Sequence, residues 1–146
     1  MKIGKYKGYT LTEMMIVVVV IGILAGIAYP RYTQYVINTQ RASAQSEMMQ
    51  IARTLANYKM ANGNYAGRTI SNVYGGAVTP KQGTSLYNLA LVIPNTLDSW
   101  TLTATPIATG QQAGNGVICL NDQGQKFWAK AATACSLSAT SDWSGR

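Results

Sequence analysis

Glu13 stands directly before an uncharged run from Met14 to Pro30, and a carboxylate at the edge of an apolar segment is costly unless something pairs with it. Two uses fit. Glu13 can meet a cation brought by another chain, or it can close a T-x-x-E capping box with Thr10 and satisfy the first amides of a helix. The other side chains that could carry chemistry are the acids Glu47, Asp98, Asp122 and Asp142, widely spaced, and two cysteines, Cys119 and Cys135. The chain has no histidine, so a Ser-His-Asp triad and a histidine metal cage are both excluded. No pair of residues makes a nucleophile and its base, and we expect no enzyme, no catalytic residue, no metal and no cofactor.

The elements that position these residues begin with the apolar run itself. Its 17 residues from Met14 to Pro30 span about 26 Å as a helix, enough to hold in a bilayer. Lys2, Lys5 and Lys7 precede it and favour a single pass, with the N-terminus in the cytoplasm and everything after Pro30 outside. A secretory signal is the alternative, because Gly26 and Ala28 supply small residues for a cut before Tyr29. Glu13 beside the apolar core fits that alternative poorly. Gly22, Gly26 and Pro30 recur every four residues on one helical face, where glycine permits close helix approach and proline loosens the preceding turn. Ordinary glycine usage in a membrane helix would give the same pattern.

Beyond Pro30, Tyr32, Tyr35, Val36, Thr39 and Ala42, then Met48, Ile51, Ala52 and Leu55, keep a spacing of three and four, which predicts an amphipathic helix ending near Asn62-Gly63. The segment from Gly63 to Thr84 is rich in Gly, Asn, Ser and Thr and reads as a long loop. Strands are expected at Leu86–Ile93, Trp100–Thr105, Gly116–Leu120 and Gln125–Ala129, with Asn121-Asp122-Gln123-Gly124 as a hairpin turn. An α+β fold follows, a long N-terminal α-helix packed against a small antiparallel β-sheet. Cys119 and Cys135 are too few for a zinc site and too far apart for a C-x-x-C redox motif, so a structural disulfide in an oxidising compartment is expected. Trp100, Trp128 and Trp143 read as core, with an adhesive surface as the alternative.

The residues Gly8-Tyr9-Thr10-Leu11-Thr12-Glu13, after a short basic leader and before a long apolar run, resemble the processing site of type IV prepilins. Gly22 and Pro30 fall where pilin stalk helices carry a glycine and a proline. The stretch from Leu55 to Gly67, and Trp100 to Pro106, Asn121 to Trp128 and the late cysteine and Trp143, resemble small minor pilins of the PilE type. The resemblance implies the type IV pilin fold, cleavage after Gly8 by a membrane-embedded prepilin peptidase, and N-methylation of the new terminus at Tyr9. It also implies a role in assembly for Glu13, whose partner would be the Tyr9 amine of a neighbouring subunit, and unwinding between Gly22 and Pro30 in the filament. Tyr9 stands where the family usually has phenylalanine; methylation acts on the backbone amine, so the change should be tolerated.

On this reading residues 1–8 are the leader, 9–30 the stalk helix and membrane anchor, and 31–146 the head. The expected function is a minor pilin supporting pilus biogenesis and twitching motility, with a type II secretion pseudopilin or a major pilin as alternatives. Loss of twitching without loss of secretion in a deletion strain separates the pilus from the secretion system. The expected partners are other pilin subunits, the prepilin peptidase, the inner-membrane assembly machinery and, before assembly, the bacterial inner membrane; afterwards the subunit would sit in the extracellular pilus. Although the chain carries a net charge of +7, the head cations Arg68, Lys81, Lys126, Lys130 and Arg146 are scattered, and nucleic acid is not an expected partner.

Overall fold

A computed structural model describes residues 8–145 of the chain. The basic leader residues Lys2, Lys5 and Lys7, and Arg146, lie outside the described residues. Two compact units divide the chain near residue 36, and both contain part of helix α1, Leu11–Asn62.

In the first unit the expected stalk forms as continuous helix. The T-x-x-E box closes its start, and the helix runs on through a Val- and Ile-rich stretch whose β-branched side chains have only modest helix propensity. Pro30 lies inside the helix without ending it, although it can offer no amide to the carbonyl four residues earlier. Large side chains from Met14 to Tyr29 are each 48% to 75% exposed.

In the second unit α1 continues to Asn62, where Gly63 takes a positive φ of 81° and donates its N–H to the Lys59 carbonyl at 2.7 Å. A left-handed residue just past the last turn is a common helix stop, and glycine adopts it without strain. The buried face consists of Ala44, Met48, Ile51 and Leu55. Burial thus starts later than the sequence spacing suggests, and Tyr32 and Tyr35 are 67% and 68% exposed. The covering strands are at most six residues long, about 20 Å, which matches only three to four helical turns.

The segment expected to be a plain loop from Gly63 to Thr84 carries two elements. Helix α2, Ile70–Tyr74, starts at a capping box in which Asn72 replaces the usual Glu or Gln: Thr69 N–H donates to Asn72 Oδ1 at 2.9 Å, and the Asn72 N–H donates back to Thr69 Oγ1. Strand β1, Val78–Thr79, follows. The expected strands then appear with ends shifted by one or two residues, as β2 (Tyr87–Val92), β3 (Thr101–Pro106), β4 (Ile118–Asn121) and β5 (Lys126–Trp128). All neighbours are antiparallel and the spatial order is the chain order. The turn between β4 and β5 falls on Asn121–Gly124, with Gly124 at positive φ.

β2 and β3 alternate, sending Tyr87, Leu89, Leu102 and Ala104 to the core. β4 does not alternate: Ile118, Cys119 and Leu120 are all buried. Its second face is covered by the tail, which the Cys119–Cys135 disulfide ties down. The Trp143 indole N–H donates to the Cys119 carbonyl at 3.1 Å, and the Val117 N–H donates to the Ala132 carbonyl at 2.9 Å. Gly116 makes this approach possible, since a Cβ there would lie 2.0 Å from the Ala129 oxygen. Closing a loop of this size stabilises a fold by about 3 kcal/mol in the chain-entropy picture. Trp100 and Trp128 are core residues and Trp143 packs against the core, as the sequence reading favours over an adhesive surface.

Burial pushes the phenols of Tyr74 and Tyr87 up to about 12 from an ordinary value of 10, and for Tyr74 the hydrogen bond to Glu47 adds to the rise. A folded-state phenol that holds its proton more tightly than the unfolded chain contributes stability that is complete below about pH 10 and is lost as the pH climbs through the folded value. Denaturant titrations of the full chain in neutral detergent micelles should therefore show the unfolding midpoint falling between pH 10 and about 12. The fall should be shallower in Tyr74→Phe and Tyr87→Phe, and an unchanged slope in both would count against these two phenols as its source.

Candidate functional site

At the N-terminal segment, Gly8 and Tyr9 are exposed and precede the helix, and Tyr9 is 81% exposed. The backbone N–H of Thr10 donates to Glu13 Oε2 at 2.8 Å, the Thr10 hydroxyl donates to the same oxygen at 2.9 Å, and the Glu13 N–H donates back to Thr10 Oγ1 at 3.2 Å. Among the described residues Glu13 is thus held in the capping box, the local of its two expected uses. One oxygen takes both bonds, so the carboxylate keeps acceptor capacity for a second partner. It sits in the first turn of α1, a helix long and apolar enough to cross a membrane.

Gly22 and Gly26 face open space: a Cβ added at either would meet nothing within 4 Å. The fold of a single chain therefore does not require glycine at these positions. Pro30 sits in continuous helix, where the Thr33 hydroxyl donates to the Tyr29 carbonyl at 3.1 Å. Cys119 and Cys135 form the disulfide expected from their spacing.

The head contains polar constellations that sequence reasoning missed. Glu47 accepts hydrogen bonds from the Tyr74 hydroxyl and Thr79 Oγ1, tying α1 to α2 and β1. A signal for it existed: Glu47 lies four residues before Ile51 and three after Ala44, on the margin of the buried face. Gln112 is fully buried and accepts from the Tyr87 hydroxyl at 2.8 Å while donating to the Ile37 carbonyl and Gln40 Oε1. The stretch Gly110-Gln-Gln-Ala-Gly-Asn-Gly116 has no periodicity that could mark which amide is buried.

Cations that look scattered in sequence lie over aromatic rings. Arg41 stacks on Trp128 at 3.6 Å from the ring centroid, and burial lowers the pKa of its guanidinium. Arg68 lies over Tyr58 at 4.1 Å and Lys59 over Tyr65 at 5.0 Å, so the end of α1 and the following loop carry two interleaved pairs. Lys81 lies over Tyr74 and Lys126 over Trp143.

A family profile described as "Type IV minor pilin ComP, DNA uptake sequence receptor" matches residues 30–121, and one described as "Prokaryotic N-terminal methylation motif" matches residues 3–29. The type IV major fimbrial protein FimA of Dichelobacter nodosus is 42% identical over 78 residues, covering 51% of this chain and 49% of that protein. A fimbrial protein of Pseudomonas aeruginosa is 57% identical over 42 residues, 29% of this chain and 27% of its own length. The chain thus spans about half or less of the length of these relatives. The crystal structure of the Neisseria meningitidis non-core minor pilin PilV superposes with a TM-score of 0.54 at 19% identity, covering 74% of this chain and 98% of that one, which is a likeness of fold. With a long N-terminal helix, a small antiparallel sheet and a profile match across more than half of its length, the chain belongs to the type IV pilin family.

Proposed function

We propose that this chain is a minor pilin, cleaved after Gly8, N-methylated at Tyr9 and assembled into a type IV pilus through its N-terminal helix, where it supports pilus biogenesis and twitching motility. The observation that carries the reading is an acid, Glu13, at the head of a helix whose large apolar side chains from Met14 to Tyr29 are all exposed. Such a surface needs a lipid or protein partner. A membrane supplies the first before assembly and neighbouring pilins supply the second, while the prepilin peptidase and the inner-membrane machinery move the subunit between them. Within the filament Glu13 would exchange part of its contact with Thr10 for the Tyr9 amine of a neighbour. A subunit docked in the wrong register would leave both charges buried and unpaired, so the pair sets position as well as charge balance. Gly22 and Gly26 serve close packing between helices, and Pro30 marks the end of a segment able to unwind. Residues 1–8 act as leader, 9–30 as stalk and 31–146 as head. The fimbrial relatives named as major proteins support the alternative of a major pilin, and a pseudopilin shares the same N-terminal features.

Intact mass and N-terminal sequencing of the protein extracted from its host membrane should give a chain beginning at N-methylated Tyr9; a start at Tyr29 or at Met1 would overturn the processing scheme. The capping and assembly roles of Glu13 are separable by substitution. Thr10→Ala removes the cap at a cost of about 1 kcal/mol and should leave filament yield close to normal, whereas Glu13→Ala should abolish incorporation while cleavage continues. Equal losses in the two variants would reduce Glu13 to a cap.

A second reading, contact with DNA, is favoured by the wording of the matched profile and by the interleaved pairs Arg68 with Tyr58 and Lys59 with Tyr65. The cations suit a nucleic-acid backbone, whereas Tyr65 is buried in the core and offers no face for a base. Fluorescence anisotropy of a labelled duplex with the full chain in neutral micelles should then show binding that weakens with salt, and Arg68→Ala should reduce the salt slope by about one. No change in anisotropy at low salt would remove this reading.

A further inference from the structure

On the head, a cleft of about 490 Å³ opens between the α1 residues Gln40 and Ser43, the β1–β2 connection and the β3–β4 connection. That volume lies within the ~300–1,000 Å³ typical of small-molecule sites. Its polar lining comes from Gln40, Ser43, Thr79, Thr84, Thr109 and Gln111, of which the Thr79 hydroxyl is taken up by Glu47, and no charged residue lines it. Ala44 and Leu86, both buried, form an apolar floor. Among the described residues the hydroxyls of Ser43, Thr84 and Thr109 make no hydrogen bond within the chain, although each can both donate and accept.

The amides at the rim are held in place from beneath. Gln112 has no exposed surface and is fixed by the Tyr87 hydroxyl at 2.8 Å, Asn115 Nδ2 at 2.6 Å and the Ile37 carbonyl at 3.0 Å. It donates to Gln40 Oε1 at 2.8 Å, and Gln40 Nε2 in turn donates to Gln111 Oε1 at 2.6 Å. A chain of three amides therefore orients the cleft wall before any ligand arrives, which removes part of the ordering cost of binding.

The ligand must suit groups that donate and accept alternately, without charge, over an apolar floor. An anion or cation would lose hydration and find no counter-charge in the lining, and an apolar ligand would cover hydroxyls without bonding them. We propose that this cleft is a binding site for an uncharged saccharide, taking one terminal sugar residue or a disaccharide end, with its hydroxyls on Ser43, Thr84, Thr109 and Gln111 and a carbon face on Leu86.

The test uses the full ¹⁵N-labelled chain in neutral detergent micelles, titrated with the methyl glycosides of glucose, galactose, mannose and N-acetylglucosamine and followed by amide chemical shifts. At least one glycoside should produce saturable shifts at residues 40–44, 79–86 and 109–112. Gln111→Ala should weaken that binding about tenfold, equivalent to the loss of ~1.4 kcal/mol, and Ser43→Trp, which fills the cleft, should abolish it. Spectra of both variants report directly whether the head is folded, and Gln111 is exposed on the β3–β4 connection. Absence of saturable shifts with all four glycosides overturns the proposal. So do shifts that map elsewhere, binding unchanged in both variants, or stronger binding of a negatively charged sugar such as sialic acid methyl glycoside at the same residues.

Discussion

Apolar side chains from Met14 to Tyr29 that their own chain leaves uncovered are the constraint on which the rest of this protein depends. Water around such a surface costs roughly 25 cal/mol for each Å², and no strand, loop or second helix is provided by the described residues to relieve it. Two kinds of surroundings remove the cost, hydrocarbon and the apolar faces of other helices, and under the proposed function the helix meets both in turn. Backbone satisfaction is nearly the same in each, since peptide groups within a helix are bonded to their own chain, apart from the Gly26 carbonyl, to which Pro30 offers no amide. The residues that break the uniformity of this surface are the acid at the start, two glycines with open space above them, and a proline.

The head solves a different problem. One helical face of four residues, Ala44, Met48, Ile51 and Leu55, is too small to hold a fold of this length alone. The sheet supplies the second layer, and the tail supplies a third over β4, where three consecutive residues are buried rather than alternate ones. A strand covered on both faces cannot show period two, and the covalent link at Cys119 is what makes the outer cover permanent. Two polar groups caught within these layers are satisfied by their neighbours: Glu47 by Tyr74 and Thr79, and Gln112 by Tyr87, Asn115 and Gln40.

The sequence carried the long helix, its end at Asn62-Gly63, the four principal strands, the β4–β5 turn and the disulfide, because each has a local signature in period, turn chemistry or cysteine count. It carried the N-terminal segment best of all, since six consecutive residues and the run behind them suffice to mark it. Helix α2 was hidden because its capping box uses Asn72 in place of an acid, and its five residues are too few to show a period. The upper limit of the buried helical face was misplaced at Tyr32, because spacing of three and four says which residues share a face and says nothing of how far a partner reaches along it. The cation–aromatic pairs and the amide chain under the cleft join residues as many as 87 positions apart, as in Arg41 and Trp128, and no local pattern encodes such contacts.

The pairing of an early helix with late strands also fixes the order in which the head can close. Met48, Ile51 and Leu55 are made long before Ile118, Leu120 and Trp128, the residues that share their core. Contacts of such sequence separation form slowly, because most of the chain between them must be gathered first. During synthesis the apolar face of α1 is therefore the first part of the head core to exist and the last to be sheltered. The hairpin β2–β3 can assemble in the interval, but the final cover waits for the last thirty or so residues to emerge, about a fifth of the chain.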